Sequence, residues 1–243
     1  MPIESSTLFL TMQTALMGNI PVELRAVGIR SVGEHDLNVR WFFDAEMNET
    51  TEDILRIVMT DTENYLPSSA DTLEGAIDQS VAIVSSEEEL QLLPSEEWVF
   101  YRYAGDTIEL PADVPNLPLE SLRLYIAGKA LLGCITLNVR RVSLAIGKQQ
   151  ALLRYYVDGP TGGIEQELAE LASKRLSQLL RLSFQGMQAE VTSEVVRLDV
   201  PHLLTLESSK YSVYDRYEEE LIDWAHITPE QNQEFNQPEP FLP

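Results

Sequence analysis

A chain of 243 residues, 44% of them hydrophobic, is long enough for one large globular domain or two small ones with cores of their own. Its formal net charge is −22, from 39 acids against 17 bases; such a field repels nucleic acid phosphates and anionic membranes and draws in cationic partners. No apolar run approaches the roughly 18 residues of a membrane span, no basic leader opens the chain, and the single cysteine, Cys134, can form no internal disulfide, so a cytoplasmic protein is expected.

The predicted elements, in chain order, begin with a helix over 6–17 closed by Gly18. Alternating apolar residues then predict a hairpin of strands over 22–31 and 37–44, with Gly33 in the turn and Asp44 at the end. A second helix is expected over 51–65, with Thr50 and Asp53 spaced as a capping box and Ile54, Ile57, Val58 and Leu66 as its apolar stripe. Strands over 78–85 and 98–103, read as a final hairpin, complete a first unit spanning residues 1–104. The stretch 105–119 holds Pro111, Pro115 and Pro118, which removes donors and disfavours helix, so it reads as a linker along the surface.

The same series then starts again. A helix from about Leu119 or Leu122 to Leu132 precedes Gly133. The hairpin recurs with Gly147 in its turn and Asp158 ending its second strand, followed by a helix over about 164–180 and strands over about 189–198 and 212–217. Residues 120–217 form this second unit, and 218–243, rich in proline at its end, form a tail. Ala15-Leu16-Met17-Gly18-Asn19-Ile20 returns as Ala130-Leu131-Leu132-Gly133-Cys134-Ile135, and Leu24-Arg25-Ala26-Val27 as Val139-Arg140-Arg141-Val142, both at an offset of 115. At an offset of 114, Arg40-Trp41-Phe42-Phe43-Asp44 meets Arg154-Tyr155-Tyr156-Val157-Asp158, and Val99-Phe100-Tyr101-Arg102-Tyr103 meets Val213-Tyr214-Asp215-Arg216-Tyr217. Identities that fall in order at near-constant spacing mark a tandem duplication. The fold class is therefore α+β: two copies of an αββαββ two-layer sandwich with mostly antiparallel four-stranded sheets, expected to meet edge to edge across a pseudo-twofold axis.

The charge is not shared evenly between the copies. Residues 1–120 hold 23 acids against 5 arginines and no lysine, whereas residues 121–243 hold 16 acids and 12 bases. A basic partner protein is the expectation, with neither nucleic acid nor membrane.

Catalytic chemistry finds no foothold. His35, His202 and His226 are far apart in sequence, so no metal site and no cofactor are expected. Gly159-Pro160-Thr161-Gly162-Gly163 opens a helix but lacks the lysine of a phosphate loop, and the first copy has Ala45-Glu46-Met47-Asn48-Glu49 there. Cys134 sits among apolar neighbours as an inert filler. The recurring Arg25/Arg140, Arg40/Arg154, Asp44/Asp158 and Arg102/Arg216 read as structural ion pairs or surface charges retained from a common ancestor unit, in preference to a recurring ligand site. Of Trp41 and Phe42, and of Tyr155 and Tyr156, one side chain should face the core and its neighbour could lie exposed as a binding aromatic.

The run A-L-[LM]-G-[NC]-I, the L-R-A-V segment, the aromatic strand ending F-F-D or Y-Y-V-D and the closing V-[FY]-x-R together resemble small bacterial immunity proteins of the colicin and contact-dependent-inhibition type. The second copy departs from the pattern at Cys134 and Arg141, the first at Ala45. The resemblance implies an immunity protein, not an enzyme, that neutralises a basic toxin domain, often a nuclease, by tight binding. Acids of the first copy are the expected contacts: Asp44, Glu46, Glu49, Glu52 and Asp53 around the second helix, and Glu87, Glu88, Glu89, Glu96 and Glu97 on the final hairpin. The alternative is a structural or assembly subunit of a larger complex, which would associate through apolar edges insensitively to salt.

Overall fold

The computed structural model describes residues 4–32, 36–66, 77–85, 88–105, 108–146, 150–161, 163–183, 190–199 and 212–216. His35, His202, His226, Glu87, Gly33, Gly147 and the tail after Arg216 lie outside them.

Copy one runs α1 (Ser5–Leu16), β1 (Leu24–Val32), β2 (Asp36–Phe43), α2 (Glu49–Tyr65), β3 (Ile77–Ile83) and β4 (Glu97–Tyr101). Copy two repeats the order as α3 (Leu119–Leu131), β5 (Val139–Ile146), β6 (Gln150–Val157), α4 (Ile164–Ser183), β7 (Glu190–Arg197) and β8 (Ser212–Asp215). Helices α1 and α3 stop where Gly18 and Gly133 take φ of 77° and 70°, a left-handed turn that explains why both copies keep this glycine. The start of α2 differs from the expected capping box. Asn48 is the N-cap, its side chain accepting from the Thr51 N–H at 2.8 Å. Its exposed ion pair joins Asp53 and Arg56 at 2.7 Å.

Each sheet has four strands, ordered β3-β2-β1-β4 and β7-β6-β5-β8. Two of the three pairings in each are antiparallel, as expected, but β3 runs parallel to β2 and β7 parallel to β6. The expected final hairpin is therefore absent. The strands β3 and β4 occupy opposite edges of their sheet, because α2 carries the chain back over the sheet as a crossover and β3 then enters beside β2.

One face of each sheet carries the helices. Leu37, Val39, Trp41 and Phe43 point into this layer, as do Leu153, Tyr155 and Val157, and all are buried. Complete burial of such side chains stabilises by roughly 1.5–3 kcal/mol each. The apolar core is continuous through both copies. The opposite face of sheet one is covered as well: Ala26, Phe42, Val84, Trp98 and Tyr101 cluster there with Leu132 of copy two. Phe42 is consequently buried, against the expectation of an exposed aromatic.

The copies meet about a pseudo-twofold axis, but their sheets are not merged into one. Each inner edge strand ends against a turn of the other copy. Arg102 bridges to Ile135 and Arg216 to Ile20; the Gly133 N–H donates to Tyr101 O at 2.7 Å, and the Gly18 N–H to Asp215 O at 3.2 Å. Equivalent residues touch on the axis itself. Phe100 stacks on Tyr214 with centroids 6.0 Å apart, and Gly128 lies so close to Gln13 that a Cβ on it would sit 2.1 Å from that amide. Equivalent positions meet only at a twofold axis, so the repeat seen in sequence is also a symmetry in space.

Candidate partner-binding surface

The recurring arginines belong to the scaffold. Arg102 donates to the carbonyls of Val22 (2.7 Å) and Leu24 (3.3 Å) and pairs with Asp44, while Arg216 donates to Leu137 O at 2.7 Å, the position equivalent to Val22. Buried Arg25 donates to the carbonyls of Ser85 and Glu88, and buried Arg140 to Leu198 O at 2.6 Å. In each copy a buried guanidinium thus holds the loop leaving the outer strand, satisfying carbonyls that would otherwise be stranded.

The expected contact acids separate into two groups. Glu96 is buried, its carboxylate accepting from Arg40 at 2.7 Å and from the Leu93 N–H at 2.7 Å. Glu97 is half-buried, 2.5 Å from the Lys129 Nζ of copy two and bonded also to Ser5. That lysine lies 3.9 Å from the Phe9 ring centroid, and burial lowers its pKa against the opposing pull of Glu97. Beside it, burial and then Glu97 and Asp113 push the Tyr125 hydroxyl up to about 12. Glu96 and Glu97 thus spend their charge within the fold. Asp44 is half-buried and held by Arg102.

Glu46, Glu49, Glu52, Asp53, Glu88 and Glu89 are exposed. The parallel pairing of β2 and β3 aligns Phe43 with Ile83, and the Val84 N–H donates to Phe43 O at 2.7 Å. Both strands therefore end at the same edge of the sheet. Past one end come Glu46, Glu49, Glu52 and Asp53; past the other come Glu88 and Glu89, held from beneath by Arg25. Two acidic groups some 40 residues apart in sequence are united at the carboxyl end of the parallel strands, where α/β sheets commonly place their binding residues. Had β3 run the other way, its acids would have lain at the far end.

Ile57, expected in the buried apolar stripe of α2, faces outward instead, so sequence reasoning missed the apolar part of this surface. Ile57 and Tyr65 on α2 are 50% and 54% exposed. They share a ridge of i, i+4 spacing with Glu49, Asp53 and Asp61, so two apolar anchors alternate with three acids. The available signal was the break in the stripe, since Ile57 follows buried Ile54 and Leu55 at the wrong angle for the core.

Cys134 is fully buried, with the Arg175 guanidinium 3.5 Å away, and burial pushes its thiol up to about 11, which leaves it un-ionised and unreactive at neutral pH. Among the described residues no group of three or more His, Cys, Asp and Glu side chains could hold a metal, and no helix is long and apolar enough to cross a membrane.

One family model matches the chain twice. It is that of the MafI2 immunity protein, over residues 5–104 and again over 120–218. No curated protein matches, and no solved structure matches.

Proposed function

The chain belongs to the MafI2 immunity protein family, in tandem, and from that premise we propose that it neutralises a basic toxin domain, a nuclease, by capping it with the acidic end of copy one. A nuclease carries cations around its substrate groove, and complementary charge accelerates encounter while buried anchors slow dissociation. The observation that carries this reading is the union of Glu46, Glu49, Glu52 and Asp53 with Glu88 and Glu89 at one end of one sheet, beside exposed Ile57. The chain acts by binding, not turnover, in the cytoplasm where its producer must be protected.

The test is binding of the toxin domain encoded beside this chain's gene, measured across a range of salt. A Glu46→Lys, Glu49→Lys, Glu88→Lys, Glu89→Lys variant is expected to bind at least a hundredfold more weakly and with a shallower salt dependence. Wild-type affinity in that variant would overturn the reading.

A further inference from the structure

Among the described residues the two sheets have four edges, and three are guarded. The inner edges, β4 and β8, end against the opposite copy. Of the outer edges, β7 lies under α4, with Val191 and Val195 packed against the core, and it carries Glu190, Glu194 and Arg197 along its length. Charges spaced along an edge are a usual protection against unwanted strand pairing.

The equivalent strand of copy one has neither protection. Helix α2 is 17 residues long against 20 for α4 and barely touches β3. Leu66 leaves the helix at ψ 138°, as the residue before Pro67 must. Along β3 the only charge is Asp78, and Val81 and Ile83 are 42% and 53% exposed. At the position of Val81, copy two has half-buried Val195.

The phase of the backbone follows from one bond. Because the Val84 N–H points to Phe43 O, residues 78, 80 and 82 share its direction towards β2, and Gln79, Val81 and Ile83 aim their N–H and C=O groups outward. No strand lies beyond β3 among the described residues. Three consecutive outward residues therefore present a hydrogen-bonding edge whose own side chains are exposed and largely apolar.

We propose that an extended, basic segment of the toxin adds to β3 as a fifth strand of sheet one, a deepening that rests on the immunity reading above. Charge selects this occupant over a second copy of the chain. Residues 1–120 carry 23 acids and 5 bases, so pairing two β3 edges would bring like fields together, whereas a cationic strand is attracted. The acids cluster beyond Ile83, where β3 leads to Glu88 and Glu89. The lysines or arginines of the incoming strand accordingly lie at the end that meets Ile83, and its apolar side chains cover Val81 and Ile83.

The experiment uses the full chain and the toxin domain encoded beside its gene. Val81→Pro removes an outward donor and no bond to β2; Val195→Pro does the same at the equivalent place in copy two. Val81→Pro and Val81→Lys should each weaken binding at least a hundredfold, and Val195→Pro by less than threefold. Amide exchange at Gln79, Val81 and Ile83 should slow in the wild-type complex, a readout that needs no variant to fold. Unchanged exchange at these amides overturns the proposal; if the acid-to-lysine variant still loses affinity, the immunity reading survives. Absence of any wild-type binding sinks both. Self-association of the wild-type chain, abolished by Val81→Lys, would assign the edge to a second copy and likewise overturn the proposal.

Discussion

The two copies share their skeleton and differ on their surfaces. Both hold the loop after the outer strand with a buried arginine, Arg25 or Arg140, and both close the last strand with Arg102 or Arg216. The second faces of their sheets are built on different physics. Copy one sets Phe42, Trp98 and Tyr101 edge to face, with centroids 5.7 and 5.1 Å apart. Copy two places a buried ion pair there, Arg141 to Asp215 at 2.6 Å, and Arg154 to Glu194 at 3.2 Å nearer the rim. At the carboxyl end of the parallel strands copy one exposes six acids, whereas the described residues of copy two there include Gly159, Pro160 and the exposed Glu167, with Asp199 engaged by the Gly159 N–H and by Arg197. The two copies thus differ in how much charge this end exposes. A duplicated scaffold can be held constant by backbone-binding arginines while its outer residues take separate roles.

That comparison can be broken at several points. The largest effect is expected where a buried charge is deprived of its partner. Glu96→Ala removes the ion-pair partner of Arg40, and Asp215→Ala removes that of Arg141; each should lower the free energy of urea unfolding by roughly 3 kcal/mol. A negligible loss for either would mean that its face is not built on that pair. The axis comes next. Gly128→Ala should cost about 2 kcal/mol through overpacking against Gln13, and adding Gln13→Ala should recover most of it in a double-mutant cycle.

A smaller effect distinguishes Cys134 from Asn19 of copy one. The folded thiol titrates at about 11 against an ordinary 9.0, so its contribution is complete below pH 9 and is lost as pH rises through 11. Denaturant titrations should show a loss from this thiol on the order of 2 kcal/mol across that window, and Cys134→Ala should remove that part while leaving the loss above pH 10 that the buried Tyr125 and Tyr155 hydroxyls contribute. The smallest effect belongs to the exposed acids. Glu46→Lys with Glu88→Lys should change stability by less than about 0.5 kcal/mol, which separates their proposed role in binding from any role in folding.

Much of the fold was legible because it is local. Apolar periodicity placed the four strands of copy one, the last two strands of copy two and the four described helices within a few residues, the repeat implied the remaining hairpin, and the recurring glycine after α1 and α3 announced a left-handed turn that a side chain would strain. The recurring arginines were legible as structural for a similar reason, since a guanidinium retained in both copies serves what the copies have in common. The candidate surface was legible only in part. Glu88 and Glu96 are equally acidic in a linear reading, yet Arg40 draws one beneath the sheet and Arg25 turns the other out.

The amino-acid order by itself determined the duplication, the sequence of helices and strands, the absence of recognisable catalytic motifs and the excess of negative charge in the first half. Only the tertiary structure decided that β3 enters parallel to β2, that the acids therefore gather at one end, and that, among the described residues, one outer edge has no cover while its twin lies under a helix. The reason is physical. Propensity and periodicity act over a few residues, whereas strand direction, burial of a charge and cover for an edge depend on which distant segments come to lie against each other.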